Sequence, residues 1–247
     1  MKLPAELRIY TIADIHGRAD LLRTLLRAIQ KDADHHRDTT HLLITLGDYI
    51  DRGPDSREVL DLLSHHPLKG FSRQFLKGNH EFMLLNFLED PEQGRLWFQN
   101  GGDATLLSYG IDADFSLPPD SNEEESPWVV LRDKLLKKLP ANHLHFLKSL
   151  QPYYQIGEYF FVHGGIRPGI PFNQQAEEDL LWIRQEFLDY PKDFGKIVVH
   201  GHSIVKEPEV HHNRIALDTG AFYTGKLTCL VLSREECFFL QATTEAA

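Results

Sequence analysis

The sequence predicts an α/β fold with two mixed β-sheets flanked by helices, and two observations lead to this prediction. In the first third of the chain, apolar β-branched runs alternate with amphipathic segments of helical period. Such alternation favours a largely parallel sheet covered by crossover helices. From residue 153 onward, short apolar runs follow one another between turn-forming residues, which predicts a second sheet packed against the first.

The first sheet is predicted to arise from the order β-α-β-α-β-α. Each predicted strand is an apolar run that ends in polar, glycine-containing sequence. Leucine and isoleucine residues then recur three and four positions apart, as on the buried face of a helix. The predicted strands are 7–13, 41–46 and 71–76, and the buried helix faces lie within 21–29, 59–63 and 82–87.

The middle of the chain, 89–152, is predicted to be helical with one polar interruption at 112–126. We interpret this interruption as a solvated surface loop rather than a domain boundary, because ligand-type histidines resume after it. One domain over 1–247 is therefore expected. The strands predicted for the second sheet are 159–162, 196–199, 214–217, 227–232 and 237–240.

Composition argues against several classes of partner. The 247 residues are 42% hydrophobic, and 26 Lys and Arg against 36 Asp and Glu give a net charge of −10 without a basic stripe. A nucleic-acid polymer or an anionic membrane is therefore not an expected partner. No apolar run approaches the ~20 residues needed to cross a bilayer. Cys229 and Cys237 lie in apolar segments, which predicts buried reduced thiols and a cytoplasmic setting.

Polar motifs occur where predicted strands end. Three of them read D-I-H-G at 14–17, G-D-Y-I-D-R-G at 47–53 and G-N-H-E at 78–81. Two later ones read V-H-G-G at 162–165 and H-G-H-S at 200–203. Ligands of open α/β sheets gather beyond the carboxyl ends of the strands, so we expect these motifs to lie together.

The side chains in these motifs suit two divalent metal ions in a phosphoester hydrolase. Carboxylate and imidazole groups are preferred ligands of such ions, and a metal pair needs a bridging carboxylate. Bound metal lowers the pKa of water to about 7 and so supplies a nucleophile. We assign Asp14 and His16 to one ion, Asp48 to the bridge, and Asn79, His163 and His202 to the second ion.

The same motifs contain groups for proton transfer and phosphate binding. His80, oriented by Asp51, is the candidate general acid that protonates the leaving alkoxide. Arg52 and Arg184 are candidates for charge-assisted hydrogen bonds to the phosphate oxygens.

Some positions have a second interpretation from spacing alone. Arg184 could instead form an ion pair with Glu177 or Glu186. His200 is interpreted as structural and His202 as the metal ligand, but spacing alone would also allow His200 to be the ligand and His202 the structural residue. Asp218 could support the site or cap a turn, and D-I-H-G alone could simply close a strand.

In this order, the five motifs resemble those of the phosphoprotein phosphatase family of calcineurin-like metallophosphoesterases, especially its short bacterial and phage members of the lambda phosphatase type. The resemblance spans 14–202 and implies a four-layer α/β/β/α sandwich with two metal ions, Mn²⁺ first and Fe or Zn²⁺ as alternatives. It implies the same ligands, the His80–Asp51 general-acid pair, and phosphate contacts from Arg52 and Arg184. Lys77 is the third predicted phosphate contact. It stands where related enzymes commonly have arginine, and it supplies a charge without a planar fork.

The resemblance implies a hydrolase that acts on a phosphorylated protein or a small phosphoester. A serine/threonine or dual-specificity protein phosphatase is the first expectation, and a symmetrical bis(5'-nucleosyl)-tetraphosphatase is the second. Trp97, Phe98, Tyr109 and Tyr223 are available for an adenine pocket, although core packing fits them better. The alternative of another class is a non-catalytic metal- or phosphate-binding module, which would need no proton donor.

Overall fold

Two five-stranded mixed β-sheets form the centre of the protein in a computed structural model that describes residues 3–4, 6–65, 68–112, 126–234 and 236–244. Most of the surface loop predicted at 112–126 lies outside the described residues. The strands are β1 Leu7–Ile12, β2 Thr40–Thr45, β3 Phe71–Phe75, β4 Tyr153–Ile156, β5 Tyr159–Val162, β6 Ile197–His200, β7 Glu209–Val210, β8 Arg214–Ala216, β9 Lys226–Leu232 and β10 Cys237–Thr243.

Helices cover the outer faces of both sheets and connect most of the strands. They are α1 Ala19–His35, α2 Ser56–Ser64, α3 Asn79–Glu89, α4 Gly94–Trp97, α5 Asp103–Ser108, α6 Pro127–Lys138, α7 Ala141–Ser149, α8 Glu177–Trp182, α9 Gln185–Leu188 and α10 Ala221–Thr224. In the described part of the chain, no helix combines the length and apolar character needed to cross a membrane.

The first sheet has the strand order β10-β9-β1-β2-β3. Its β1, β2 and β3 are parallel, as predicted, and α1 and α2 connect them. The assignment of 227–232 and 237–240 to the second sheet is wrong, because β9 pairs antiparallel with β1 and β10 pairs with β9. The reason is that β2 covers only one edge of β1, and the C-terminal hairpin supplies hydrogen bonds to the other edge.

The second sheet has the strand order β4-β5-β6-β8-β7. The three central strands β5, β6 and β8 are parallel, and the edge strands β4 and β7 are antiparallel to their neighbours. The short strand β7 was not predicted, since both of its residues are exposed and give no apolar signal.

The main chain thus folds into four layers, as the fold class predicted. Ile9 and Leu42 of the first sheet share a buried cluster with Phe161 and Val199 of the second, so the inner faces pack together. On the outer faces, α1 and α2 pack on the first sheet and α8 and α9 on the second. Each fully buried Leu, Ile or Phe side chain in these layers contributes about 1.5–3 kcal/mol. This packing holds the carboxyl ends of the central strands in place.

The prediction of buried thiols is confirmed for Cys229 and wrong for Cys237. Cys229 lies in β9, which has a neighbour on each side, and it is buried. Cys237 starts the edge strand β10 and is exposed. An apolar sequence does not distinguish an edge strand from a central one.

Candidate metal centre and active site

The predicted metal ligands converge where central strands of both sheets end. Asp14 and Asp48 follow β1 and β2, Asn79 opens α3 just after β3, and His163 and His202 follow β5 and β6. Parallel strands end at one edge of a sheet, and the two sheets face each other, so these loops meet. All six predicted ligands are buried: Asp14, His16, Asp48, Asn79, His163 and His202.

A first group of possible ligand atoms comes from His16, Asp48 and His80, which offer atoms within 4.8 Å of one another. The Nδ1 of His16 donates to the Ile50 carbonyl at 2.9 Å, so its Nε2 carries the lone pair. This Nε2 lies 3.4 Å from Asp48 Oδ2. Burial lowers the pKa of His16 to about 3, which keeps the ring neutral and able to bind a metal.

A second group comes from Asp48, His163 and His202, again within 4.8 Å. His163 donates from Nδ1 to the Leu46 carbonyl at 3.0 Å and therefore carries its lone pair on Nε2. That nitrogen lies 3.5 Å from Asp48 Oδ1 and 2.8 Å from Asn79 Oδ1. Two acceptor atoms so close together fit a shared cation between them.

Asp48 belongs to both groups, as its assignment as a bridge requires. Its two oxygens face different histidines, Oδ2 towards His16 and Oδ1 towards His163. Burial acts to raise the pKa of Asp48, but the surrounding histidines, led by His163, hold it below its usual range. The carboxylate is therefore ionised and has both oxygens available.

Asp14 contacts the second group through His202 and lies near Asp48, which belongs to both groups. Its Oδ2 accepts a hydrogen bond from the His202 backbone N–H at 3.0 Å, and within the described chain Oδ1 is buried without a hydrogen-bond partner. Burial, followed by the Asp218 and Asp48 carboxylates, raises the pKa of Asp14 well above its ordinary value. Three buried carboxylates with no lysine or arginine bonded to them fit a site for divalent cations.

The loops that carry these side chains have unusual backbone geometry. In the described residues, positive φ angles outside glycine occur only at predicted site residues. Such angles cost of order 1–3 kcal/mol each and persist where the surrounding structure fixes them. The residues and angles are His16 at 45°, Asp48 at 53°, Asp51 at 71°, Arg52 at 68° and His202 at 61°.

Glu81 fastens two of the ligand loops together. Its buried carboxylate accepts backbone N–H groups of Asp48 and Tyr49 at 2.8 Å and of Gly78 at 3.0 Å. A Cβ at Gly78 would clash with Asp48, so only glycine allows this approach. The loop that bears Asp48 is thus locked to the helix start that bears Asn79.

His80 and Asp51, the predicted general-acid pair, are hydrogen-bonded to each other, and their role in proton transfer stays a prediction. The Nδ1 of His80 and Oδ2 of Asp51 are 2.7 Å apart, and both side chains are fully buried. Burial acts to lower the pKa of His80, but Asp48 and Asp51 outweigh it and raise that pKa above its ordinary value. His80 Nε2 lies 3.9 Å from Asp48 Oδ2 and has no hydrogen-bond partner among the described residues. A protonated His80 would therefore present its N–H beside the ligand groups.

Arg52 is exposed but reaches into the site. Its Nη1 lies 3.1 Å from His16 Nε2, and its guanidinium lies 4.8 Å from the centre of the Phe222 ring. Phe222 also packs edge-on against His16, with ring centres 5.2 Å apart. The aromatic ring thus holds the cation at the mouth of the site.

Arg184 lies beside the second ligand group. Its Nη1 donates to the His202 carbonyl at 3.3 Å and to Ser203 Oγ at 3.4 Å. Arg184 does not form the alternative ion pair with Glu177 or Glu186. Glu186 pairs with Arg167, and Glu177 pairs with Lys77. Its role as a phosphate ligand stays a prediction.

Lys77 donates to Glu177 at 2.8 Å, and its charge is therefore already paired. Its predicted phosphate contact stays a prediction.

The structure separates the positions of His200 and His202. His200 is buried against the Phe187 ring, whereas His202 contributes an atom to the second ligand group, and its role as the metal ligand stays a prediction. Asp218 accepts the Gly220 N–H at 2.8 Å, as a turn-capping residue does, and it also lies close enough to Asp14 to influence its pKa; its support of the site stays a prediction.

Sequence reasoning missed several residues that surround the site. Trp97 and Thr105 bond to Asp51, Glu81 fastens the ligand loops, and Phe222 supports Arg52. Only Glu81 gave a signal, because it lies inside G-N-H-E. The others are distant in sequence and meet the site through the fold.

The aromatic residues considered for an adenine pocket divide into two sets. Trp97 and Tyr109 are buried in the core and Phe98 packs against it, as the core interpretation predicted. Tyr223 is 81% exposed, so core packing is wrong for this residue.

Comparisons with known proteins give relatives and structural neighbours over most of the chain, including the following three. The serine/threonine-protein phosphatase 2 of Salmonella typhimurium is 28% identical, covering 89% of this chain and 90% of the relative. The asymmetrical bis(5'-nucleosyl)-tetraphosphatase PrpE of Halalkalibacterium halodurans is 25% identical, covering 89% and 87%. The crystal structure of a cold-active protein-tyrosine phosphatase from a psychrophilic Shewanella shares the fold, with a TM-score of 0.59, 18% identity and coverage of 98% and 82%.

The pattern of the calcineurin-like phosphoesterase family matches residues 7–222, which include every predicted site residue. Its members named above are hydrolases, and the buried His and Asp groups of this chain could hold metal ions. The chain belongs to the calcineurin-like phosphoesterase family.

Proposed function

We propose that the protein is a metal-dependent phosphatase of phosphoserine and phosphothreonine in proteins, with phosphotyrosine as a further substrate. The hydrogen-bonded His80–Asp51 pair beside the ligand groups supports this most strongly. Cleavage of a serine or threonine ester expels an alkoxide, which needs a proton. A nucleotide leaving a tetraphosphate is a phosphate anion that is already stable near neutral pH. A buried proton donor therefore accelerates hydrolysis of a phosphoserine or phosphothreonine ester far more than hydrolysis of a dinucleoside tetraphosphate.

Two divalent ions, with Mn²⁺ as the first expectation, fit the buried donor set. Such ions supply Lewis-acid polarisation of the phosphate and a lowered pKa for bound water. In this proposal Asp14, His16 and Asp48 would hold one ion, and Asp48, Asn79, His163 and His202 would hold the other. His80 stays outside the ligand set because Asp51 binds its Nδ1 and its Nε2 serves the leaving group.

The chain's own side chains do the remaining work. Arg52 and Arg184 would orient the phosphate through its non-bridging oxygens, since each guanidinium lies next to a ligand histidine. His80 would donate its Nε2 proton to the departing oxygen. Asp51 would keep the ring oriented and offset its charge before the proton leaves.

A groove beside the site also favours a peptide substrate. It has a volume of about 330 Å³ and adjoins the site through Trp182, whose ring packs edge-on against His202 with centres 6.1 Å apart. Glu178 is the only charged residue in its lining, and the structure shows no ion-pair or hydrogen-bond partner for it among the described residues. A carboxylate there repels a polyphosphate chain and attracts a basic peptide side chain. The lining residues are Phe82, Met83, Asn86, Gln93, Leu96, Glu178 and Trp182.

The test is a side-by-side assay of phosphoserine, phosphothreonine and phosphotyrosine peptides against diadenosine tetraphosphate. The metal-free protein is reconstituted separately with Mn²⁺, Fe²⁺ and Zn²⁺, and kcat/KM is measured for each pair. We expect the serine and threonine peptides to be hydrolysed fastest, with Mn²⁺ giving the highest rate. Faster hydrolysis of diadenosine tetraphosphate would replace the proposal with the tetraphosphatase activity, and the products would show whether cleavage is symmetrical.

A variant of the groove tests whether Glu178 contributes to the preference for phosphopeptides over diadenosine tetraphosphate. Glu178→Gln removes the charge of the groove without changing its shape, so it should improve diadenosine tetraphosphate hydrolysis relative to a lysine-containing phosphopeptide. Glu89→Gln, at the exposed end of α3, is the control for loss of one negative charge. Equal effects of the two substitutions would exclude the groove from substrate selection.

A further inference from the structure

The segment 97–105 contacts the loop that bears Asp51 and Arg52 at three points. Trp97 ends α4, Thr105 lies in α5, and a π-helical segment kinked at Gly101 connects them. Trp97 Nε1 donates to Asp51 at 2.9 Å, and Thr105 Oγ1 donates to it at 2.6 Å. Between them, the Gly101 carbonyl accepts the Arg52 backbone N–H at 3.1 Å. These contacts bridge about fifty residues of sequence.

The hydrogen bonds around Asp51 fix the direction of each proton. An indole N–H only donates, and Thr105 Oγ1 accepts the Asp51 backbone N–H at 2.9 Å, so its own hydrogen can point at the carboxylate. Trp97 and His80 donate to Oδ2 while Thr105 donates to Oδ1. All three side-chain hydrogen bonds are donated to the Asp51 carboxylate. They hold the carboxylate in one orientation, in which Oδ2 accepts the Nδ1 proton of His80.

The segment is itself held firmly. The Trp97 side chain is 1% exposed and stacks on Phe87 of α3, with ring centres 5.1 Å apart. Gly101 has a φ of 97°, and a Cβ there would lie 3.0 Å from the Arg52 backbone nitrogen. Glycine thus lets the turn approach the loop closely enough for its carbonyl to bond.

The loop needs this support because its own conformation is unfavourable. Asp51 and Arg52 have consecutive φ angles of 71° and 68°, in the left-handed region that non-glycine residues avoid. Such a pair persists only when surrounding contacts fix it. Without the bonds from 97–105, the loop would relax, and the carboxylate would move away from His80.

We propose that residues 97–105 act as a clamp, in which Trp97 and Thr105 are positioning residues for proton donation by His80. Among the described residues, neither side chain hydrogen-bonds to a proposed metal ligand, and both act through Asp51. The inference depends on the proposed role of His80 as proton donor. It predicts that the clamp matters only when the leaving group needs a proton.

The experiment compares two aryl phosphates that differ in their need for a proton. p-Nitrophenyl phosphate has a stable leaving anion, whereas phenyl phosphate has a poor one. Thr105→Val keeps the size of the side chain but removes the donor. Trp97→Phe also removes the donor and keeps an aromatic ring, although the ring is smaller. Each should lower kcat on phenyl phosphate about tenfold or more and change kcat on p-nitrophenyl phosphate by less than about threefold, with KM and the Mn²⁺ content unchanged.

Two controls separate positioning from general damage. Thr105→Ser retains the hydroxyl and should restore the phenyl phosphate rate, which a merely structural role would not require. Thr24→Val removes a hydroxyl from the exposed face of α1 and should change neither rate. If Thr105→Val does not fold, Trp97→Phe decides the question, because its ring still stacks on Phe87.

Equal losses on both aryl phosphates, or no loss on either, would overturn the clamp. Its failure is distinguishable from failure of the proposed function. If the wild type hydrolyses aryl phosphates but no phosphopeptide, the protein substrate is wrong and the clamp is still tested. If His80→Asn lowers both aryl phosphate rates equally, His80 is not the proton donor, and the clamp fails with it.

Discussion

Replacing Gly78 by alanine should separate the two loops that carry Asp48 and Asn79. A Cβ at this position would lie 2.9 Å from Asp48 Cγ, with two other Asp48 atoms closer still, whereas ordinary contact begins at 3.4 Å. The loops must therefore move apart by more than 3.4 minus 2.9, or 0.5 Å, because two Asp48 atoms lie closer to the Cβ than Cγ does. The backbone of Gly78 itself suits alanine, since its φ is −95°. The whole effect is therefore steric.

The cost can be estimated from general values. Overpacking by one methyl group costs about 1–3 kcal/mol. For a chain of this size that corresponds to a fall in Tm of about 2–12 °C, at about 2–4 °C per kcal/mol. Displacement of residues that orient metal ligands weakens binding about 10–100-fold, so we expect that loss in Mn²⁺ affinity.

The assay combines thermal unfolding in EDTA with calorimetric titration of Mn²⁺ into the metal-free protein. Gly70→Ala is the matched control, because Gly70 has a φ of 78° and no atom within 4 Å of an added Cβ. It should cost about 1–2 kcal/mol of backbone strain and leave Mn²⁺ affinity unchanged. A folded Gly78→Ala protein with wild-type Mn²⁺ affinity would refute the idea that loop contact fixes the ligands.

Three further substitutions test the assignments within the site and the core. Asp48→Asn should lose bound metal, and two retained equivalents by elemental analysis would contradict the bridge. His80→Asn should keep its metal and lower turnover of a serine phosphopeptide by about 10² to 10⁴, and unchanged turnover would remove His80 from its role. Burial lowers the pKa of His200 to about 3, so on acidification the unfolded chain takes up a proton that the folded one does not, and stability falls below about pH 6.5. The free energy of unfolding is measured in urea with EDTA at pH 7 and pH 5. Between these pH values it should fall by about 2 kcal/mol less in His200→Gln than in the wild type, and identical falls would contradict a neutral buried ring.

The local part of the site was predictable because each ligand follows a strand signal within a few residues. Apolar runs identify the strands, and the residue types at their ends identify the chemistry, so Asp14, Asp48 and Asn79 required no tertiary information. The limits of the first three strands were predicted to within one residue at each end. The resemblance to a known family then supplied the order of the layers and the division of roles.

Other features depended on which segments meet in space. The C-terminal hairpin belongs to the first sheet because β1 has a free edge there, and hydrophobicity alone assigns no strand to a sheet. Cys237 is exposed because β10 is an edge strand. Arg184 likewise bonds to His202 and Ser203 rather than to a glutamate. These partners follow from the positions of the loops in space and not from spacing along the chain.

The sequence by itself determined the class of chemistry, because the predicted metal-binding groups and proton donor lie in short motifs. Such motifs can be recognised from the order of residues without knowledge of the fold. Only the tertiary structure decided how those groups are held. The left-handed loop at Asp51 is stabilised by Trp97 and Thr105, which contact it across about fifty residues. Such contacts are made by packing between helices and loops, and packing partners distant in sequence leave no periodic signal.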